Sequence, residues 1–341
     1  MQNSASKTLS LVHVPEAPEI PGLVMRNFQG ESDYPKILDL INAAKVADQA
    51  ERSDTLEDMI HYYKHLTNCD PYRDVLIAEV NGEPAAYSRI TWWIDEANGD
   101  YIYLSFGFMD PKWRRKGIGK AMLRHNQRRM REIAAEHPGE PKKFFESYAN
   151  NFQEGTLALL EGDGYTPIRR FFNMVRPDLE NIPDLHVPDG IEVRPALPDH
   201  TRQIWEAFQE AFHDHWGYSV PQEKDYQGWI GSKEFQPELW QIAWEGNQVA
   251  GMILNFINHD ENSEYGRKRG YTEGIAVRRP WRRRGLARAL LARSLRMHRD
   301  LGMTEAALGV DTDSLSGANL LYESMGFRPV KIHITLRKPM D

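Results

Sequence analysis

A mixed α/β (α+β) fold, built twice in tandem along one chain, is what this sequence predicts. A fifteen-residue stretch recurs at a fixed offset, strand and helix signals follow in the same order around each copy, and 341 residues with 41% hydrophobic content suit two cores better than one. VRRPWRRRGLARALL, Val277 to Leu291, repeats MDPKWRRKGIGKAML, Met109 to Leu123, at a distance of 168 residues. Both read Trp-Arg-Arg-basic-Gly-apolar-small, which marks a duplication. The same offset pairs Met25-Arg26 with Val193-Arg194, and a six-residue slip pairs LLEGDGY (Leu159 to Tyr165) with LYESMGF (Leu321 to Phe327). The expected organisation is a tail over 1–22, a first domain over 23–176, a linker over 177–189 and a second domain over 190–341. The linker region RPDLENIPDLHVPDG carries three prolines and four acids, which is linker composition.

In the second copy, Ile191 to Arg194 reads as a short strand. Asp199 is placed to cap a helix running through Phe212, and Pro221 opens another that reaches Ile230. LWQIAW (Leu239 to Trp244) and QVAGMILNFI (Gln248 to Ile257) flank the turn EGN as an antiparallel hairpin. Next come the strand YTEGIAV (Tyr271 to Val277), a helix from Gly285 to Leu301 that Gly302 ends, and the strand EAALGV (Glu305 to Val310). The helix GANLLYESM (Gly317 to Met325) and a strand to Arg337 close the copy. On the long helix Leu286, Leu290, Met297 and Leu301 form an apolar stripe at helical spacing. This order describes a largely antiparallel mixed sheet flanked by helices.

Composition narrows the function. A formal net charge of -7 argues against a global nucleic-acid-binding field, so no nucleic-acid partner is expected and any positive site must be local. MQNSASKTLS lacks the basic-then-apolar pattern of a signal peptide, and no apolar run approaches the ~18 residues that span a bilayer, so a cytoplasmic protein without membrane contact is expected. The single cysteine, Cys69, excludes internal disulfides and thiolate zinc clusters. A His-x-His pair, His213 and His215, has no third ligand at metal-binding spacing, and no metal is expected. A monomer or a homodimer fits equally well.

The arginine stretch admits two readings. A solvated face of an amphipathic helix explains the downstream arginines, but not the placing of RRRGLA at a strand-to-helix junction, where free backbone N–H groups and the helix dipole attract anions. Gly285 lets a phosphate approach closely, and Ala287 keeps the first turn small. Nine arginines and no acid lie between Glu273 and Asp300, and nine basic residues and no acid lie between Asp110 and Glu132. Parallel exclusion of acids at both loops favours a pyrophosphate cradle.

At these residues the sequence resembles the GNAT superfamily of acyl-CoA-dependent N-acetyltransferases, in its tandem two-domain form. The signature is Arg or Gln, two residues, Gly, one residue, then Gly or Ala. Arg282-Arg283-Arg284-Gly285-Leu286-Ala287 matches it, and so does Arg114-Arg115-Lys116-Gly117-Ile118-Gly119. The resemblance implies acetyl-CoA as cosubstrate at each loop. Its pyrophosphate would lie on the amides from Arg282 to Arg288 and its pantetheine beside Ile275, Ala276 and Val277. The aligned positions of the first copy are Gly107, Phe108 and Met109, followed by Arg114 through Lys120.

An acceptor amine with pKa about 10 must lose a proton before it attacks, and a leaving thiolate of pKa about 8.5 gains from a proton donor. Glu273, in an otherwise apolar strand, is the candidate base. Tyr322 in LLYESMGF stands where the resemblance places the acid. The first copy has Ser105 and Leu160 there, which implies one catalytic and one silent domain. The family's base often lies two residues earlier, at Tyr271, which strand alternation keeps on the face of Glu273. The asparagine usual before the last helix is replaced by Ser314-Leu315. The segment AFHDHWGYSV supplies Phe212, His213, His215, Trp216 and Tyr218 as the wall for a small polar amine acceptor. The expected function is therefore N-acetylation of a small amine in the second domain. The alternative is a non-enzymatic acetyl-CoA-binding sensor or scaffold.

Overall fold

The computed structural model describes residues 10–137, 139–313 and 317–340. The chain forms two compact units, one running to Pro167 and taking up the chain again from Thr335, the other spanning Ile168–Ile334.

Unit 1 comprises β1 (Leu23–Asn27), α1 (Tyr34–Ala47), α2 (Leu56–Lys64), the short α3 (Pro71–Asp74), β2 (Val75–Val80), β3 (Glu83–Asp95), β4 (Asp100–Met109), α4 (Ile118–Glu136), β5 (Lys143–Asn150) and α5 (Glu154–Gly162). Strands β1 to β4 pair antiparallel, while β4 and β5 pair parallel, as the crossover through α4 requires. The last residues of the chain lie beside β5, with the Met340 N–H donating to the Lys143 carbonyl. Alternation along β2 supplies two cores. Val75 and Ile77 face Ile37, Leu40 and Met59, whereas Leu76 and Ala78 face Val14, Ile118 and Met122.

Unit 2 takes β6 (Thr166–Arg176) from Ile168 on, then β7 (Glu192–Arg194), α6 (Thr201–Phe212), α7 (Glu223–Ile230), β8 (Gln241–Glu245), β9 (Gln248–Phe256), α8 (His259–Glu264), β10 (Arg269–Val277), α9 (Leu286–Asp300), β11 (Glu305–Asp311), α10 (Ala318–Ser324) and the start of β12 (Arg328–Pro339). The strand order is β6-β11-β10-β9-β8-β7, antiparallel except for the β10–β11 pair. Repeat and unit therefore differ by one strand. The repeat closes at Arg176, whereas the compact units divide at Pro167/Ile168 and Ile334/Thr335.

Several local expectations are revised. Asp199 does not cap α6; it sits in a 3-10 turn over Pro198–His200, and α6 starts at Thr201 without a side-chain cap. Helix α7 starts after a reciprocal Gln222/Asp225 capping box, later than Pro221. The sequence reading passed over α8, which Asn258 caps by accepting from the Glu261 N–H at 3.0 Å. The buried face of α9 runs through Leu286, Leu290, Leu291, Ser294, Leu295 and His298, while Leu301 is exposed. Two polar residues replace the outer members of the apolar stripe because both are bonded. Ser294 accepts from Asn255 at 3.0 Å, and His298 Nε2 lies 3.3 Å from the Tyr271 carbonyl. Among the described residues, no helix is long and apolar enough to cross a membrane.

Candidate active site

After β10 the unit 2 chain makes a 3-10 turn at Arg279–Trp281, then places Arg283 (φ +60°) and Gly285 (φ +83°) in the left-handed region. Alternating handedness of this kind turns successive N–H groups toward one point, an anion-binding concavity. Glycine adopts it freely, whereas arginine accepts a strain of about 1 kcal/mol. Unit 1 repeats the geometry at Arg115 (φ +61°) and Gly117 (φ +89°). The matched sequences are matched backbones.

The first backbone bond from inside α9 joins the Ala289 N–H to the Gly285 carbonyl, so the amides of Leu286, Ala287 and Arg288 face outward from the helix end. A Cβ built on Gly285 would meet nothing within 4 Å, which leaves the approach open. The loop's arginine side chains divide into two groups. Arg282 donates to the Val277 and Ala211 carbonyls and to Asp214, and Arg279 shares Asp214. Arg284 lies 3.7 Å from Glu245. Arg283 and Arg288 are exposed and unpaired among the described residues. Arg282 thus braces the loop through its side chain, which limits its expected contact with a phosphate to its backbone.

The parallel pairing of β10 with β11 ends at Tyr271 opposite Ala307, although both strands continue. Beyond that point they part, and the register of β10 against β9 shifts between Glu273 and Ala276. Gly274 sits in this bulge at φ +56°, where a Cβ would stand 2.9 Å from Leu254. Ala276 and Val277 still pair with Met252 and Gly251 of β9, so their other edge faces the opening, as does that of Ile275.

Glu273 spans the parted strands, accepting from the Gly309 N–H of β11 at 2.8 Å. Burial pushes its carboxyl up to about 7, and the single backbone hydrogen bond offsets this only in part. Tyr322, on α10, is 6% exposed in the core with Met325 and Phe327. Its hydroxyl has no hydrogen-bond partner among the described residues, and burial first, then the Glu273 charge, raises its pKa. Glu273 therefore stands near neutrality, and its charge reaches the protonated phenol of Tyr322.

The segment after α6 gathers the expected aromatic residues. The Phe212 and His215 rings stack at 4.1 Å, His213 lies 5.2 Å from Tyr218, and Trp216 lies 6.1 Å from Phe171. Tyr271 is drawn elsewhere. It stacks on Phe256 at 4.7 Å, and its hydroxyl donates to Glu261 of the unanticipated α8, beside Arg267. Its phenol is thus engaged away from the Glu273–Gly309 bridge. Asp311 is held by Arg169 at 2.6 Å. Among the described residues, no cluster of three or more His, Cys, Asp or Glu forms a metal site. Ser314 and Leu315 lie outside the described residues. Nearby, Asn319 Nδ2 donates to the Asp311 and Thr312 carbonyls.

Unit 1 keeps the loop but not the Glu273 and Tyr322 side chains. At the position of Glu273, Ser105 is buried and accepts from Asn126 at 2.8 Å; its carbonyl accepts from Ser147, the counterpart of Gly309, at 2.7 Å. β4 pairs with β3 in unbroken register from Tyr101 to Phe108, with no bulge. Leu160 is buried where unit 2 has Tyr322. The loop is also covered, since Pro18 stands 3.3 Å from a Cβ position on Gly117 and Leu159 stands 3.4 Å from one on Gly119. Exposed Lys116 lies over the Trp113 ring, and Ile118 is buried in the core with Val14.

Sequence reasoning missed Arg169 and Phe171. Both lie on β6, the closing strand of the first repeat, yet they stand beside Asp311 and Trp216 in unit 2. Only an Arg-x-Phe pattern in a strand could have drawn attention to them, and the repeat boundary assigned that strand to the first domain.

The acetyltransferase (GNAT) family model matches residues 36–140 and 201–327. A mycothiol acetyltransferase of Catenulispora acidiphila is 24% identical over 86% of this chain and 93% of its own length. A GCN5-related N-acetyltransferase from Sphaerobacter thermophilus is 26% identical, with a TM-score of 0.70 over 93% of this chain and 96% of that one. A tandem GNAT protein from the clavulanic acid biosynthesis pathway shares the fold at 14% identity and a TM-score of 0.64, over 94% and 98%. With one family match centred on each sequence repeat, the chain belongs to the GNAT family of acetyltransferases, in its tandem form.

Proposed function

We propose that unit 2 transfers an acetyl group from acetyl-CoA to the amine of a small polar molecule. The observation that carries this reading is Glu273, bridging the parted β10 and β11 at a pKa of about 7 with the unpartnered Tyr322 hydroxyl nearby. The residues present fit the cosubstrate: an open left-handed loop at Gly285, free amides on Leu286 to Arg288, and unpaired Arg283 and Arg288 for phosphate charge. When bound, acetyl-CoA supplies the activated acetyl thioester.

The chain's own groups then have three tasks. Glu273 takes a proton from the ammonium, directly or through a water. Backbone N–H groups on the free edge of β10 polarise the thioester carbonyl as negative charge develops on its oxygen. Tyr322 donates its phenolic proton to the departing thiolate. Phe212, His213, His215, Trp216 and Tyr218 would line the acceptor mouth, with Phe171 and Arg169 behind them.

Relatives named mycothiol acetyltransferase, aligned over most of the chain, favour an amino sugar conjugate among possible acceptors. Unit 1 is proposed to hold CoA through Arg114 to Lys120 without turnover, once Pro18 gives way. Thiol release from acetyl-CoA over a panel of amines tests the whole reading. Amine-dependent release is expected, and its absence across amino sugars, aminoglycosides and polyamines would return the chain to a sensor or scaffold.

A further inference from the structure

Four arginines are buried among the described residues, and three have their charge or their donors answered. Arg26 pairs with Asp33 and Glu79, Arg269 with Glu305, and Arg176 donates to the Asp178, Glu180 and Met325 carbonyls. Arg89 of β3 is the exception. It is 2% exposed, has no carboxylate partner, and leaves Nε and Nη1 without hydrogen bonds. Its one bond runs from Nη2 to the Tyr62 hydroxyl. Rings close around it, with Tyr62 at 4.6 Å, Phe106 at 4.8 Å and Tyr63 at 5.7 Å.

A guanidinium stays charged at any working pH, so burial without a counter-charge leaves an electrostatic deficit that ring faces cover only in part. The outer wall suits a visitor. Tyr62 is 53% exposed on α2, and Tyr148 of β5 is exposed and stacks on Phe106 at 5.7 Å. Phe106 and Tyr148 both lie beyond Leu104–Glu146, the last pair of β4 with β5, so the cluster stands where those strands part.

We propose that unit 1 carries a binding site for a small monocarboxylate with a flat apolar body, its carboxylate on Arg89 and its body against Phe106 and Tyr148, admitted when Tyr62 turns aside. A second guanidinium, Arg52, reaches Tyr62 and Tyr148 with its field but is already paired with Asp54, so the uncompensated charge is that of Arg89, which matches a single negative charge better than a phosphate dianion. The site uses none of Arg114 to Lys120, but it adjoins Gly107, where the CoA proposed for unit 1 would run, and it does not depend on the function proposed for unit 2.

The test uses the full chain and three probes, namely benzoate, neutral benzamide and inorganic phosphate, followed by calorimetry and tyrosine fluorescence. Benzoate should saturate below about 10 mM and bind about tenfold or more tighter than benzamide or phosphate. Tyr62→Ala should strengthen benzoate binding, because the lid and its competing hydroxyl are gone. Arg89→Met should abolish it while leaving the melting temperature unchanged or higher, since an unpaired buried charge has been removed. If Arg89→Met does not fold, Arg89→Lys serves, and the loss of the planar fork should weaken benzoate about tenfold. Equal benzoate binding by wild type and either Arg89 variant would overturn the proposal. So would preference for phosphate, or no saturation in both wild type and Tyr62→Ala.

Discussion

Glu273→Gln separates charge from shape at the proposed active site. The glutamine keeps an oxygen to accept the Gly309 N–H, so the bridge across the parted strands survives and only ionisation is lost. The carboxyl stands at about 7 against an ordinary 4.5 because burial penalises its anion. A raised pKa in an acid means that the fold favours the protonated form. No penalty exists below about pH 4.5, where folded and unfolded chains are both protonated. Stability is lost as pH rises toward 7, and the loss is constant above it. Full expression of the shift is about 3 kcal/mol, and partial solvent access at the half-buried side chain lowers this to about 2 kcal/mol. Thermal unfolding should therefore show Glu273→Gln more stable than wild type by several degrees at pH 8.5, with no difference at pH 4.5. Activity should move the other way. The wild-type kcat/KM should fall about tenfold per unit below a pKa near 7, and the variant should lose that limb with a drop of about 10²-fold or more at pH 8. Coincident melting temperatures at pH 8.5 would show that the carboxyl is well solvated, and an unchanged acidic limb would place the base elsewhere, with His213 or His215 next in line.

Tyr322→Phe should lower kcat about 10²-fold while leaving acetyl-CoA affinity and melting temperature nearly unchanged, because the hydroxyl makes no hydrogen bond among the described residues; full activity would make Tyr322 a packing residue. Calorimetry with CoA should resolve a tight site that Gly285→Glu removes and a weaker one that Arg115→Glu removes, the second weakened by the Pro18 cover on Gly117; a single site indifferent to Arg115→Glu would end CoA binding at unit 1. A fragment of residues 190–341, cut at the repeat boundary, should fail to unfold cooperatively, because β11 loses β6 and the core loses Met174 and Leu179; a cooperative, fully active fragment would contradict the unit boundaries.

The parts legible in the sequence were those governed by neighbours along the chain. Left-handed residues at Arg283 and Gly285, and at Arg115 and Gly117, follow from a motif only a few residues long, and its recurrence gave the tandem order directly. Glu273 stands out because one acid in an apolar strand conflicts with burial, and the structure holds it by a single amide. The exclusion of acids around the arginines was sound locally and misleading spatially. Acids from α6, the turn after it and β8 approach four of the six arginines of Val277–Leu291, with Glu210 on Arg278, Asp214 on Arg279 and Arg282, and Glu245 near Arg284. A window on the sequence cannot contain a partner 65 residues away.

The same limit explains why the repeat and the compact unit part company at β6. A repeat found by self-comparison ends where similarity ends, at Arg176, but a strand belongs to whichever sheet supplies its hydrogen bonds. β6 pairs from Phe171 to Arg176 with β11 of unit 2, and the chain's end pairs beside β5 of unit 1. Arg169 and Phe171 thereby reach Asp311 and Trp216, so the wall proposed to receive the acceptor draws on both sequence copies. The replacement of the proposed catalytic residues in the first copy, Ser105 for Glu273 and Leu160 for Tyr322, therefore does not free it to drift. Its closing strand remains under the constraint of unit 2's sheet, and Arg169 under that of Asp311, whatever becomes of its own loop.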